Sequence, residues 1–489
     1  MSFLIAPCRS YIPKPFQILL ILGTWLCSSA LTSVGTWPAG FNFFFGTKTR
    51  YEEVNPFLQK NPLLVIGKQD LLPNTCTPLK IVTVIRHGTR YPTNEQIQKM
   101  KKMHDLILKQ KGIRSELVEE LQQWEMWYDD WMDGQLVKKG EQDMRNLAYR
   151  LASLFPLLFS EDKLKQSKMT FTTSSKHRCV DSTKSFISGL VNDYFRFPQT
   201  PESGLNELTY MEPVINDTLM RFFDHCPKFL VEVEDNDTAL HEVDKFKQSP
   251  EMKKVIQKLS ALLDVPEQEL SADLIQVAFF ICSFELAIRN IVDSPWCSLF
   301  DEEDARVLEY LNDLKQYWKR GYGYDINSRS SCHLFQHIFQ HLETAVTESK
   351  SSQQVSMPVV MHFGHAETLL PFLTLLGLFK DETSLKAENF ISQIERKFRS
   401  GHIVPYASNL AFVLYLCDMT ETPNDMTETP REKYQVQLLL NEQLLHFPHS
   451  HSSLLFEEMK ELYGHLLDGC SISKECAIVK ANRSSEDEL

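Results

Sequence analysis

Ile81-Val82-Thr83-Val84-Ile85, followed at once by Arg86-His87-Gly88-Thr89-Arg90-Tyr91-Pro92, decides how this chain folds. A continuous β-branched run reads as a strand buried on both faces, the pattern of a parallel sheet covered by helices. Three further runs look alike: Met169–Thr173, Val359–Phe363 and Leu410–Leu416. The first two also stop at polar clusters, Ser174-Ser175-Lys176-His177-Arg178 and Gly364-His365-Ala366-Glu367, each leading into a helical pattern. In open α/β sheets ligands bind beyond the carboxyl ends of the strands. If the three strands are parallel neighbours, their clusters meet at one site. The expectation is an α/β protein.

The first cluster carries the chemistry. Arg86 and Arg90 flank His87, and a guanidinium grips phosphate oxygens through a two-pronged hydrogen-bonding fork. Gly88 lets the backbone approach an anion closely. Nearby cations favour neutral imidazole, which a nucleophile requires. A surface turn with incidental charges is the competing reading, and a buried strand running straight into three charged groups argues against it.

Arg86-His87-Gly88-X-Arg90-X-Pro92 resembles the signature of the histidine acid phosphatases, a branch of the histidine phosphatase superfamily. The resemblance implies a mixed central sheet flanked by helices, with a mainly helical cap inserted. It implies His87 as nucleophile, forming a phosphohistidine, with Arg86 and Arg90 as phosphate ligands. Arg178, in SSKHRCVDS, fits the place of a further phosphate-binding arginine, and Leu136-X-X-X-Gly140 resembles the helix entry between the two motifs. His177 reads as a packing or surface histidine. Where most of the family has His-Asp, this chain has His365-Ala366-Glu367. His365 is then a phosphate ligand, and Glu367 is the acid that protonates the leaving oxygen, which an alkoxide needs. His-Ala-Glu marks the inositol-polyphosphate phosphatase subgroup. Membership implies stepwise dephosphorylation of inositol hexakisphosphate and lower inositol phosphates, and removal of the 3-phosphate of 2,3-bisphosphoglycerate. FGTKTRYE (45–52), LIQVAFFICSFELAI (274–288), YLNDLKQYWKRGYGY (310–324) and RKFRSGHIVPYASN (396–409) extend the resemblance along the chain. No cofactor is implied, and no cluster has convincing metal spacing. Lys48, Arg50, Lys319 and Arg320 are rim candidates for a polyphosphorylated substrate, with solvated surface charge the alternative for each. A broad-specificity acid phosphatase shares all this chemistry and is the runner-up. An inactive luminal binding protein should lack a catalytic group, and none is missing.

The ends of the chain speak to compartment. Phe16–Leu31 is an apolar run after Arg9 and Lys14, ending in small residues, as in a secretory signal peptide cut near Ala30. An uncleaved anchor is the competing reading. No later segment reaches membrane-spanning length without charges. Cleavage removes two cations and no acid, taking the net charge from −13 to −15, and leaves nine of the 11 cysteines. That balance argues against nucleic acid or an anionic membrane as partner. In an oxidising lumen disulfides form and an odd count leaves one thiol unpaired. Cys282 with Cys297, and Cys470 with Cys476, are candidate pairs on spacing alone. Asn216, Asn236 and Asn482 lie in glycosylation sequons. The terminal Glu486–Leu489 is a variant of the KDEL retrieval signal, implying a luminal retrieval receptor and residence in the endoplasmic reticulum with some escape to secretion.

These readings divide the chain into a leader (1–30), an α/β part (31–190), a mainly helical insertion (191–354), a second α/β part (355–480) and a tail (481–489). Helical patterns cover 115–131, 138–155, 252–263, 272–292 and 304–317. The repeat DMTETPN-DMTETP at 418–430 reads as a loop.

Overall fold

The computed structural model describes residues 41–72, 75–111, 115–196, 212–419, 431–448 and 452–478. The leader, Asn482, the C-terminal tail and most of the 418–430 repeat lie outside them. The chain divides into Met1–Trp37, none of it among the described residues, and Pro38–Leu489.

The sheet is built from β1 (Cys76–Arg86), β2 (Met169–Thr173), β3 (Val214–Ile215), β4 (Val359–Gly364), β5 (Asn409–Met419), β6 (Arg431–Leu440), β7 (Gln443–Leu445) and β8 (Ser453–Leu455). Its order is β3-β2-β4-β1-β5-β6-β7, with β8 also pairing with β6. β3, β2, β4 and β1 run parallel, and β5 onward is antiparallel. The sheet is therefore mixed. All four strands read from sequence are present, and the three that end in charged clusters are parallel neighbours, so those clusters sit at one edge of the sheet. β6 was not foreseen.

Helices cover both faces, as the two-sided burial of β1 requires. The helices that matter here are α1 (Asn94–Leu108), α2 (Lys138–Leu154), α3 (His177–Ser188), α4 (Ala272–Arg289), α5 (Glu302–Arg320), α6 (Cys332–Lys350) and α7 (Ala366–Leu375). Met144, Leu147 and Leu151 of α2 and Phe186 of α3 bury against Ile81, Ile85, Phe171, Phe363 and Val413. α6 and α7 pack on β1 from the other face, where the Phe372 and Phe412 rings lie 6.1 Å apart. Between Ile215 and Val359 the described residues contain no strand.

Three expectations need correction. The pattern at 115–131 yields a helix only over Glu116–Gln123. The indoles of Trp124 and Trp127 turn away to donate to Glu285 Oε1 at 2.5 and 3.3 Å, so tertiary contacts override the local pattern. α4 ends at Arg289 rather than Val292 because Asn290 adopts the left-handed conformation (φ 55°), a helix stop. Cys470 and Cys476 do not pair with each other. Cys470 joins Cys332 and Cys476 joins Cys226, fastening the C-terminal helices to the helical stretch. Cys282–Cys297 is as expected, Cys76–Cys417 links β1 to β5, and Cys179 is the free thiol among the described residues.

Candidate active site

The end of β1 is held by backbone hydrogen bonds from three directions. Arg86 N donates to Ser408 O, His87 N to Gly364 O, and Ala407 N to His87 O, at 2.7, 3.1 and 3.1 Å. Ala407 sits at φ 60°, an uncommon conformation for a residue with a Cβ. Gly88 has no room for one: a Cβ there would come within 2.4 Å of Gly140 O, and one on Gly140 within 2.2 Å of Thr89 O. The Leu136-X-X-X-Gly140 spacing thus brings the start of α2 against the motif loop, backbone to backbone. Thr89 Oγ1 donates to Asp143 Oδ2 at 2.9 Å, and Asp143 is paired with Lys139.

His87 is buried, and its Nδ1 lies 2.8 Å from Gly88 O. A carbonyl only accepts, so Nδ1 carries the proton and Nε2 is left with a free lone pair. Burial, reinforced by Arg178, Arg86, His365 and Arg90, holds its basicity well below that of an ordinary histidine. The ring therefore stays neutral, as nucleophilic attack requires.

Three arginines surround it, and among the described residues none of them forms an ion pair, although Glu367 acts on Arg86 and Arg178 from a distance. Arg86 Nη1 donates to the carbonyls of Thr47 (2.7 Å) and Val404 (2.6 Å), and its guanidinium stacks 4.6 Å from the Tyr406 ring. Arg90 Nη1 donates to Tyr91 O at 2.7 Å. The Nε atoms of Arg86, Arg90 and Arg178 are each buried without a hydrogen-bond partner. Burial pulls Arg86 down to about 10, with Arg90 and Arg178 adding repulsion. Buried, unpaired donors carry a free-energy cost that an oxyanion removes.

From β4, His365 places its ring 5.6 Å from that of His87, and its Nδ1 lies 3.4 Å from Arg178 Nη2. Burial, then Arg178, depresses it to about 3. Glu367 occupies the first turn of α7, where the helix dipole favours an anion. Burial would raise its carboxyl, but His365, Arg320, a backbone hydrogen bond and Arg86 outweigh it and hold the group at about 2. Glu367 is therefore a carboxylate among these groups.

The rim candidates separate. Lys48 is buried with its ammonium 4.0 Å over the Phe280 ring. Burial and repulsion from Arg90, Lys315 and Arg86 bring it down to about 7, which places it beside the site. Arg50 is diverted: it pairs with Glu53 and Glu52 and donates to Asn290 Oδ1 at 2.7 Å. Lys319 and Arg320 both pair with Glu234, at 2.6 and 3.0 Å, although Arg320 still acts electrostatically on Glu367. Sequence reading missed Lys315, which repels Lys48, and Arg221, which acts on His365 and Arg178. Arg221 stands in a bend between two short helices, outside every quoted motif, and Lys315 lies within the 310–324 stretch with nothing to single it out from its basic neighbours. A cavity of about 500 Å³ lined by Arg50, Lys139, Asp143 and Arg150 contains none of the three motif clusters. Among the described residues no group of three or more His, Cys, Asp or Glu is arranged to hold a metal ion, and no helix is long and apolar enough to cross a membrane.

A neutral buried histidine ringed by unpaired arginines at the carboxyl ends of parallel strands is the arrangement of a phosphoryl-transfer site. A profile of the histidine phosphatase superfamily (branch 2) matches residues 79–441. The chain belongs to that family and is a phosphatase. It is 53% identical to multiple inositol polyphosphate phosphatase 1 of Homo sapiens over 454 residues, covering 91% of each chain. To the enzyme of the same name from Gallus gallus it is 49% identical, over 92% of this chain and 96% of that one. Its fold matches a phytase from D. castellii (TM-score 0.69, 16% identity, 90% and 88% of the two chains). It also matches the Bifidobacterium longum multiple inositol polyphosphate phosphatase complexed with inositol hexasulfate (TM-score 0.62, 14% identity, 85% and 96%).

Proposed function

We propose that this phosphatase hydrolyses the phosphomonoesters of inositol polyphosphates, inositol hexakisphosphate included, and the 3-phosphate of 2,3-bisphosphoglycerate, through a phosphohistidine on His87. The observation that carries the reading is His87, neutral with Nε2 free, among three buried guanidiniums whose Nε atoms lack partners. The 53% and 49% relatives supply the substrate class.

In the first step the Nε2 lone pair attacks phosphorus and the phosphorus–oxygen bond to inositol breaks. Its electron pair goes to the leaving oxygen, which takes a proton from Glu367. Arg86, Arg90, Arg178 and His365 hold the non-bridging oxygens, where charge must be stabilised. Water then attacks the phosphohistidine and gives a proton to the Glu367 carboxylate. The phosphorus–nitrogen bond breaks, inorganic phosphate leaves and His87 is regenerated. Glu367 is a carboxylate among its neighbouring cations, so its role requires proton uptake as substrate binds. The incoming phosphate supplies this by neutralising the cations that depress Glu367 and adding negative charge beside it. Lys48 and Lys315 are suited to the remaining phosphates, and the same charge restores Lys48 to its protonated form.

Glu367→Gln removes the proton. It should slow turnover of inositol phosphates by roughly 10²–10⁴-fold, while an activated aryl phosphate, whose leaving group needs no proton, changes only a few-fold. Equal losses on both would remove Glu367 from this role. Substrate class is tested by comparing kcat/KM for inositol hexakisphosphate and a simple aryl phosphate at equal ionic strength. The expected result is a preference for the inositol phosphate; a preference for the aryl ester identifies a broad-specificity acid phosphatase instead.

The helical stretch 191–354 is read as a cap over the carboxyl edge of a sheet domain made from 31–190 and 355–480. Four disulfides favour an oxidising compartment. With the apolar leader and Glu486–Leu489 tail they support the lumen of the endoplasmic reticulum, with retrieval through the C-terminus. Asn216 and Asn236 are both partly exposed, as glycan attachment requires.

A further inference from the structure

A chain of hydrogen bonds lies behind His365, away from the phosphate ligands. His365 Nε2 is 2.9 Å from Ser174 Oγ, and Ser174 is fully buried at the end of β2. Cys179, a free buried thiol, lies beside the ring: Sγ is 3.5 Å from His365 Nε2 and donates to Gly364 O at 3.2 Å. On the other edge of the ring, Nδ1 faces Arg178 Nη2.

The donors in this chain can be ordered in one direction. A guanidinium only donates, so Arg178 Nη2 gives its hydrogen to Nδ1, 3.4 Å away, and the ring proton sits on Nε2. The thiol proton ends on Gly364 O, so Sγ meets Nε2 only as an acceptor, and Nε2–H donates to Ser174 Oγ with Sγ beside it.

We propose that Ser174 and Cys179 are positioning residues that lock His365 in the Nε2–H tautomer, so that its Nδ1 receives a phosphate group bearing a proton. A fully ionised phosphate oxygen facing Nδ1 would meet a lone pair. A phosphate that retains one proton donates its O–H to Nδ1, or transfers it, breaking O–H and forming N–H, and the imidazolium then donates back. The binding event thus includes one proton in either case. The charged groups facing His365 are Arg178 and Cys179 from α3, Glu367 from α7, Arg221 from the segment after β3, and Arg86 and His87 from β1 and its loop. The cations among them disfavour an imidazolium until phosphate arrives, which couples the two events.

This inference rests on the assignment of His365 as a phosphate ligand, and its test does not need turnover. Binding of methylphosphonate, a non-hydrolysable monoester mimic that loses its last proton at its second ionisation, is measured on the full chain by calorimetry across that ionisation. In a Glu367→Gln background, which removes the proton taken up by Glu367, the dissociation constant should rise about tenfold per pH unit above that ionisation, as for uptake of one proton. Once the bound anion draws Arg178 away from Nδ1, only Ser174 and Cys179 hold the proton on Nε2, so in Ser174→Ala the bound ring can put it on Nδ1. Binding at low pH should weaken by about tenfold, the scale of one lost hydrogen bond, and the pH dependence should flatten. Ser174→Thr keeps the hydroxyl and should restore both, and Cys179→Ala should shift both part of the way. If Ser174→Ala does not fold, Cys179→Ala carries the comparison. A folded Ser174→Ala or Cys179→Ala chain with the pH slope of the Glu367→Gln background overturns the tautomer lock and leaves the phosphohistidine reading intact. A background chain that binds no methylphosphonate overturns the anion site itself, and this inference with it.

Discussion

Replacing His87 with alanine should abolish hydrolysis of every phosphomonoester, lowering kcat by four orders of magnitude or more, roughly the loss seen when other enzymes lose a nucleophile. The fold should survive. His87 is anchored by its backbone, through Gly364 O and Ala407 N, more than by its ring, whose one hydrogen bond is to the neighbouring Gly88 carbonyl. Inorganic phosphate should still bind, because Arg86, Arg90, Arg178 and His365 are untouched. Steady-state kinetics beside phosphate calorimetry on the same preparation separates lost chemistry from lost structure. Substantial residual turnover would place the nucleophile elsewhere.

The second large effect is on stability. Arg396 is buried and holds two buried carboxylates of α5: Asp313 Oδ2 at 2.6 Å from Nη2 and Glu309 Oε2 at 3.0 Å. Asp313 also accepts from Ser400 N and Oγ, and Arg399 binds Glu309 from the other side. This network ties α5, which carries Lys315 and Arg320, to the loop that supplies Val404 O to Arg86. Arg396→Ala strands the carboxylates and should cost about 3–5 kcal/mol. The loss should depend on pH. Burial, then Asp313, raises Glu309 to about 7 even with Arg396 present. An acid raised on folding binds more protons in the folded state, so its contribution to stability is greatest below the unfolded value near 4.3 and declines as pH rises to about 7. Removing the cation raises Glu309 further. The Tm deficit of Arg396→Ala should therefore be larger at pH 8 than at pH 5; equal deficits would contradict this account of the network.

How much was legible beforehand follows from where each signal resides. β1 and β4 are short apolar runs buried on both faces, and their composition announces them. β6 begins Arg-Glu-Lys-Tyr-Gln-Val-Gln, an alternating stretch just after a threonine- and proline-rich repeat, and its apolar positions do not stand out. The residues proposed for catalysis stand out in the sequence because each cluster is local and follows a strand directly. The supports could not. Ser174 acts on a residue 191 positions away, and Cys226 and Cys332 find partners 250 and 138 residues on. Arg50 and Lys319 were equally ambiguous: a lone cation carries no mark of whether a carboxylate waits for it in the fold. Sequence showed where phosphate chemistry belongs, and the structure supplies the charges left unpaired for it.

The central claim is a covalent phosphate on His87. Acid destroys phosphohistidine and alkali preserves it, so the enzyme should be mixed with ³²P-labelled inositol hexakisphosphate and quenched in alkali within the first turnover. The account predicts label on the peptide containing Arg86-His87-Gly88, lost on acidification and absent from His87→Ala. Label on any other peptide, or label that survives in His87→Ala, would contradict it.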